Sequence, residues 1–145
     1  MKPVCCDTSF LLALYGNDIH SQKAILHLRS LSQPITLSVL NEFELENALH
    51  FAWWRKKILH GEIMRILSRL DIDRQMGRVA SPPVNLAQVV AEARRLSDKY
   101  TAKQGCRAFD LLQVATAVHL GASEFLSFDL NQRHLAKAEG LKLNS

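Results

Sequence analysis

The amino-acid sequence predicts an α/β protein, a three-layer α/β/α sandwich around a mainly parallel central sheet. Three observations lead there. Short apolar segments alternate with longer helical ones along the chain, the order that builds a parallel sheet between helices. The stretch Arg107–Asp129 holds a buried-helix pattern, a turn and a buried-strand pattern in succession. Acidic residues recur where predicted strands end and helices begin, the edge at which parallel sheets gather their chemistry.

Taken in order, Lys2–Cys6 reads as a first strand ending at Asp7, and Thr8–Tyr15 as a helix. Gly16-Asn17-Asp18 breaks the chain, and Asp18 is placed to cap a second helix, Ile19–Leu31. Gln33-Pro34 turns into a short strand, Ile35–Ser38. A long helix, Leu40–Lys57, sets Leu45, Ala48, Leu49 and Ala52 on one face. His60-Gly61 turns the chain into a helix from Glu62 to Leu70, extendable to Gln75. Arg78–Ala80 is a third small strand, Ser81-Pro82-Pro83 a loop, and Asn85 the cap of a helix, Leu86–Tyr100. Phe109–Leu120 is apolar almost throughout and contains no breaker, so it reads as a buried helix stopped by Gly121. Glu124–Phe128 suits a buried strand ending in Asp129. A helix Leu130–Glu139, closed by Gly140, and a last strand Leu141–Leu143 complete the chain. No internal repeat or low-complexity tract interrupts it, and residues 1–145 read as one domain.

Composition bounds the class. Apolar residues are 48% and charged residues 22%, ordinary for a globular chain with a real core. No apolar run reaches the ~20 residues of a membrane helix, and the early Asp7 argues against a signal peptide. Cys5 and Cys6 are strand neighbours pointing to opposite faces, so they do not bridge each other. With Cys106 they read as reduced core thiols of a cytoplasmic protein. The net charge is +4 and the pI is near 9.2. The excess base, including Arg55, Lys56, Lys57, Arg94, Arg95 and Arg107, lies away from the acids. An acidic pocket in a basic surface fits a metal-dependent enzyme acting on nucleic acid.

Four acidic positions share one predicted edge: Asp7, Asp110, Asp129, and an acid among Glu42, Glu44 and Glu46. Each has a structural reading as well. Asp7 can cap the helix at Thr8, Asp129 with Gln132 and Asn41 with Glu44 can form capping boxes, and Asp110 can complement a helix dipole. As a group they are the hard-oxygen donors that Mg²⁺ and Mn²⁺ take, and such a set can activate water against a phosphodiester. The six histidines, His20, His27, His50, His60, His119 and His134, are scattered and form no general-base pattern.

The segments DTSFLLALY, FELENAL, CRAFDLLQVATAVHLGASEFLSFD and LAKAEGL together resemble the PIN-domain ribonucleases, and most closely the toxins of VapBC-type toxin–antitoxin pairs. The resemblance runs from Cys6 to Leu141. It implies a parallel sheet between helices with acids at its carboxyl edge. It further implies Mg²⁺ or Mn²⁺ as cofactor, RNA as substrate, a homodimer, and an antitoxin that blocks the site. Carried over residue by residue, the catalytic and metal-binding acids fall on Asp7, Glu44, Asp110 and Asp129, with Thr8 or Ser9 supporting Asp7. Products with a 5′-phosphate and 3′-hydroxyl follow from the same likeness. Glu44 shares a helix side with Leu40, Ala48 and Phe51, nearer buried surface, whereas Glu42 and Glu46 occupy another flank; spacing alone leaves all three open. A non-catalytic RNA- or partner-binding domain of the same fold is the alternative. A phosphoacceptor signalling domain needs adjacent acids after the first strand, and Cys6-Asp7-Thr8 offers one. Phe51, Trp53 and Trp54 cannot all face one core, so at least one is expected on a dimer or antitoxin surface.

Overall fold

The computed structural model describes residues 1–145. Five strands form one sheet: β1 (Val4–Cys6), β2 (Ile35–Thr36), β3 (Val79–Ala80), β4 (Glu124–Leu126) and β5 (Lys142–Leu143). Their order is β3-β2-β1-β4-β5 and every pairing is parallel. The chain winds outward from β1 through β2 to β3, then crosses back and continues through β4 to β5. Strand order therefore reverses between β1 and β4, and the crevice beyond their carboxyl ends is where doubly wound sheets bind ligands.

Two layers of helices cover the sheet because successive strand side chains face opposite ways. Val4, Cys6 and Leu126 enter one core with residues of α1 (Thr8–Tyr15), α2 (Ser21–Ser30), α3 (Val39–Trp54) and α4 (His60–Gln75). Cys5 and Phe125 enter the other, against α5 (Leu86–Leu96), α7 (Ala108–His119) and α8 (Leu130–Ala138). Cys5 and Cys6 thus sit in different cores, and no disulfide forms. Burial pushes the Cys5 thiol up to about 12, and burial with the neighbouring Asp7 charge raises Cys6 well above the ordinary thiol value, so neither is a thiolate near neutral pH. Cys106 is only partly buried. No helix is long and apolar enough to cross a membrane.

The expected elements are present, with shifted ends. The first strand is Val4–Cys6 rather than Lys2–Cys6, the second Ile35–Thr36, the fourth Glu124–Leu126 and the fifth Lys142–Leu143. Asp18 does not cap the second helix: His20 holds that position, and Asp18 accepts the His20 N–H in the preceding turn at 2.7 Å. The third helix stops at Trp54 because Lys56 adopts left-handed backbone, φ 59°. His60 and Gly61 are the first turn of α4, not a turn before it. The predicted helix to Tyr100 ends at Leu96, passes into a π-helical turn, Ser97–Thr101, and then a short α6 (Ala102–Gln104). The helix expected over Phe109–Leu120 spans Ala108–His119, and the one expected to Glu139 ends at Ala138. Leu45 and Leu49 are buried on α3, whereas Ala48 and Ala52 are half-buried.

The helix start at α3 differs from expectation in a way that shapes the site. Ser38 is the cap, and the reciprocal box is Ser38 with Asn41, not Asn41 with Glu44. Asn41 is buried, and its amide donates to the Cys6 carbonyl at 2.9 Å and to Gln113 Oε1 at 2.7 Å. One carboxamide thereby ties the end of β1, the start of α3 and the middle of α7. Replacing it leaves buried polar groups without partners. Asn41→Ala is expected to cost about 2–4 kcal/mol in chemical denaturation, near the upper range for a point change. A loss below about 1 kcal/mol would show that this junction does not hold the layers together.

Candidate functional site

A pocket of about 260 Å³ opens at the carboxyl edge of β1 and β4, lined by Asp7, Thr8, Ser9, Glu44, Ala48, Asp110, Asp129 and Gln132. All four acids singled out by sequence therefore meet there, although larger hollows exist elsewhere. Glu42 and Glu46 do not join them: Glu42 pairs with Arg74, and Glu46 faces solvent.

Each acid stands near the start of a helix. Asp7 caps α1, its Oδ1 accepting the Phe10 N–H at 3.0 Å. The same oxygen accepts the Ser9 hydroxyl at 2.7 Å, and Oδ2 accepts the Ser127 hydroxyl at 2.6 Å. Asp129 caps α8 through the Gln132 N–H at 2.9 Å. The return half of the expected Asp129–Gln132 capping box is absent, because the Gln132 side chain turns to Asp110 Oδ1, 3.3 Å away. Asp110 lies in the first turn of α7. Glu44 lies one turn further into its own helix, where Thr8 donates to its Oε1 and Gln113 Nε2 donates to the same oxygen at 3.2 Å. Thr8 thus supports Glu44, while Ser9 supports Asp7. The capping and shared-pocket readings are compatible: a positive helix start stabilises a carboxylate and also aims it at the sheet edge.

No lysine or arginine forms an ion pair with any of the four. Their charges act on each other. Burial pushes Asp7 up to about 6, against the lowering effect of Ser127, Ser9 and the Phe10 N–H, and the Asp129 charge adds to the rise. Asp110 is raised by burial and then by the charges of Asp129 and Glu44, with Arg107 pulling against them. The carboxylates ring the pocket without closing tightly: no group of three or more His, Cys, Asp or Glu side chains is arranged to hold an ion by itself. That spacing suits a cation that keeps part of its water shell, as Mg²⁺ does when one or two carboxylates bind it directly and others through water. Hard-oxygen donors and uncompensated negative charge also fit such an ion.

Sequence reading missed the buried neutral residues Gln113 and Ser127, which hold Glu44 and Asp7, and the tie from Asn41 to Gln113 behind them. Gln113 carried a usable signal, since an amide inside an apolar helix requires a buried partner. The basic residues divide. Arg65, Arg74, Arg78 and Arg95 are engaged with carboxylates of this chain, whereas Arg55, Lys56, Lys57, Arg94 and Arg107 form no ion pair. Trp53 is 47% exposed and Trp54 75% exposed, so neither is a core residue.

The family model for the PIN domain matches residues 4–138, and the chain belongs to that family. Among solved structures it is similar to Mycobacterium tuberculosis VapC20, a Sarcin-Ricin loop cleaving toxin, with TM-score 0.70 and 18% identity over 95% of both chains. It is also similar to FitAcB from Neisseria gonorrhoeae, with TM-score 0.66 and 18% identity over 98% of this chain and 96% of that one. These two likenesses are likenesses of fold. No curated protein sequence matches the chain.

The raised Asp7 gives a prediction with a definite sign. A carboxyl whose pKa is higher folded than unfolded binds more protons in the folded state between the two values, so stability falls as pH rises through that window. The unfolded value is about 3.9 and the folded value about 6. Asp7→Asn removes the titration and keeps the cap. In chelator, wild type should lose roughly 2–3 kcal/mol relative to Asp7→Asn between pH 4 and pH 7. Parallel stability curves for the two proteins would contradict the burial of an ionising Asp7.

Proposed function

We propose that this protein is a metal-dependent endoribonuclease, the toxin of a toxin–antitoxin pair, formed by one nuclease domain over residues 1–145. One observation carries the reading: Asp7, Glu44, Asp110 and Asp129 line one pocket at the sheet's switch point with no cationic side chain paired to them. Membership of the PIN family and the fold shared with a toxin that cleaves the sarcin-ricin loop support it.

Asp7, Asp110 and Asp129 would hold Mg²⁺ or Mn²⁺, with Glu44 as a further ligand or as the group that orients the attacking water. The chemistry such an ion would supply there is acidification of the attacking water and neutralisation of charge on the scissile phosphate. The chain's own residues do the positioning. Ser9, Ser127 and the Phe10 N–H fix both oxygens of Asp7. Thr8 and Gln113 hold one oxygen of Glu44 and leave the other to accept a proton-bearing group. Arg107, beside Asp110, the cationic run Arg55, Lys56 and Lys57, and Arg94 are among the unpaired bases available to RNA phosphates, which they bind without regard to sequence. The exposed Phe51, Trp53 and Trp54 are the surface we assign to a second copy or an antitoxin, where aromatic side chains concentrate. The protein acts in the cytoplasm on this reading.

A second reading, a PIN-like domain that binds RNA or a partner and does not cleave, rests on the absence of three acids close enough to hold an ion by themselves. Incubating RNA with the protein in Mg²⁺ or Mn²⁺, with and without chelator, separates the two. Cleavage should need the ion and leave 5′-phosphate ends. Asp110→Asn should lower the rate at least about 100-fold, roughly 3 kcal/mol of barrier. Glu44→Gln should impair cleavage far more than Glu42→Gln or Glu46→Gln. RNA binding without ion-dependent cleavage would establish the second reading.

A further inference from the structure

The acid pocket is lined by a side chain with one polar atom that neither the fold nor the four carboxylates engage. Gln132 is 3% exposed, yet its carboxamide oxygen has no hydrogen-bond partner. Buried polar atoms are almost always paired, and one that is not calls for an explanation such as a bound ion. Three other buried side-chain atoms lack partners, and none shares this setting: His27 Nε2 and Glu124 Oε2 lie 3.8 Å apart, and Asn144 Nδ2 belongs to an amide whose oxygen accepts the Ser127 N–H. Only Gln132 lines the acid pocket.

The rest of Gln132 is already committed to the acids. Its backbone N–H donates to Asp129 Oδ1 at 2.9 Å, and its Nε2 donates to Asp110 Oδ1 at 3.3 Å. One residue therefore sets the position of two carboxylates from neighbouring helix starts. An apolar side chain would fill the same buried volume without an unpaired oxygen. A neutral oxygen donor among acids suits a hydrated divalent ion, which takes carbonyl oxygen alongside carboxylate and water.

We propose that Gln132 is a fifth oxygen donor of the cation site, meeting the ion or one of its waters through Oε1 while its two N–H groups hold Asp110 and Asp129 in place. This rests on the reading of the acids as a cation site. It makes Gln132 a ligand and positioning residue rather than packing.

Isothermal titration of the full-length protein with Mn²⁺ alone tests it, with melting curves in chelator to show that each variant is folded. Gln132→Met keeps length and removes both polar ends; it should bind Mn²⁺ at least about tenfold more weakly, the range seen when groups that orient ligands are lost. Gln132→Glu places a charged oxygen at the same reach and should bind Mn²⁺ more tightly than wild type while melting lower in chelator. Wild-type affinity in Gln132→Met, within about twofold, would overturn the assignment and leave the four-acid reading intact. No Mn²⁺ binding by wild type would overturn both. If Gln132→Met does not fold, Gln132→Glu decides: an affinity equal to wild type overturns the proposal.

Discussion

Four carboxylates gathered at one sheet edge without a cationic partner are the constraint on which this structure turns. Asp7 is almost completely buried, and burial together with the Asp129 charge works against its ionisation. A buried charge is usually matched by an opposite one. Here the compensation comes from neutral donors: serine hydroxyls, side-chain amides and backbone N–H groups at helix starts. Such donors stabilise carboxylates without cancelling their charge. The result is a pocket lined by carboxylates that no lysine or arginine of the chain neutralises. Arginine paired with these acids would cancel their charge at the cost of its own desolvation.

The donors belong to the architecture as well as to the site. Asn41 joins the Cys6 carbonyl to Gln113, and Gln113 passes the connection to Glu44. Ser127 donates to Asp7 and accepts the Asp129 N–H at 3.0 Å, so the ends of β1 and β4 are joined through one hydroxyl. Behind them, Phe128 stacks between Phe10 and His20, with ring centroids 5.7 Å and 4.5 Å away, and anchors the loop that carries Asp129. The parallel sheet supplies the edge, the helix starts aim the acids, and the polar links fix their spacing.

Much of this was legible in the sequence because it is written in local pattern. Alternating strands and helices gave the parallel sheet, and acids at strand ends gave the edge. The buried run after Asp110 gave α7. What was not legible depends on pairs far apart in the chain. Asn41 and Gln113 are 72 positions apart, and Asp7 and Ser127 are 120 apart. Neither contact leaves a periodic trace. The helix starts misread at Asp18 and Asn41 show a related limit: at Asp18 the carboxylate closes a local turn with the His20 N–H, and at Asn41 the side chain is bound to Ser38, Cys6 and Gln113. The π-helical turn at Ser97–Thr101 was hidden because its composition is that of an ordinary helix. Choosing Glu44 over Glu42 and Glu46 followed from the family likeness. The structure places Glu44 in the pocket and commits Glu42 to Arg74.

The central claim is that these acids form one cation site rather than four separate helix caps. Thermal melts of wild type and Asp110→Asn, each in chelator and in Mn²⁺, test it most directly. Binding to the folded state raises the melting temperature, so the ion should stabilise wild type markedly and Asp110→Asn much less. In chelator the variant should melt no lower than wild type, because one of the repelling charges is gone. Equal responses to Mn²⁺ in the two proteins would contradict the shared site.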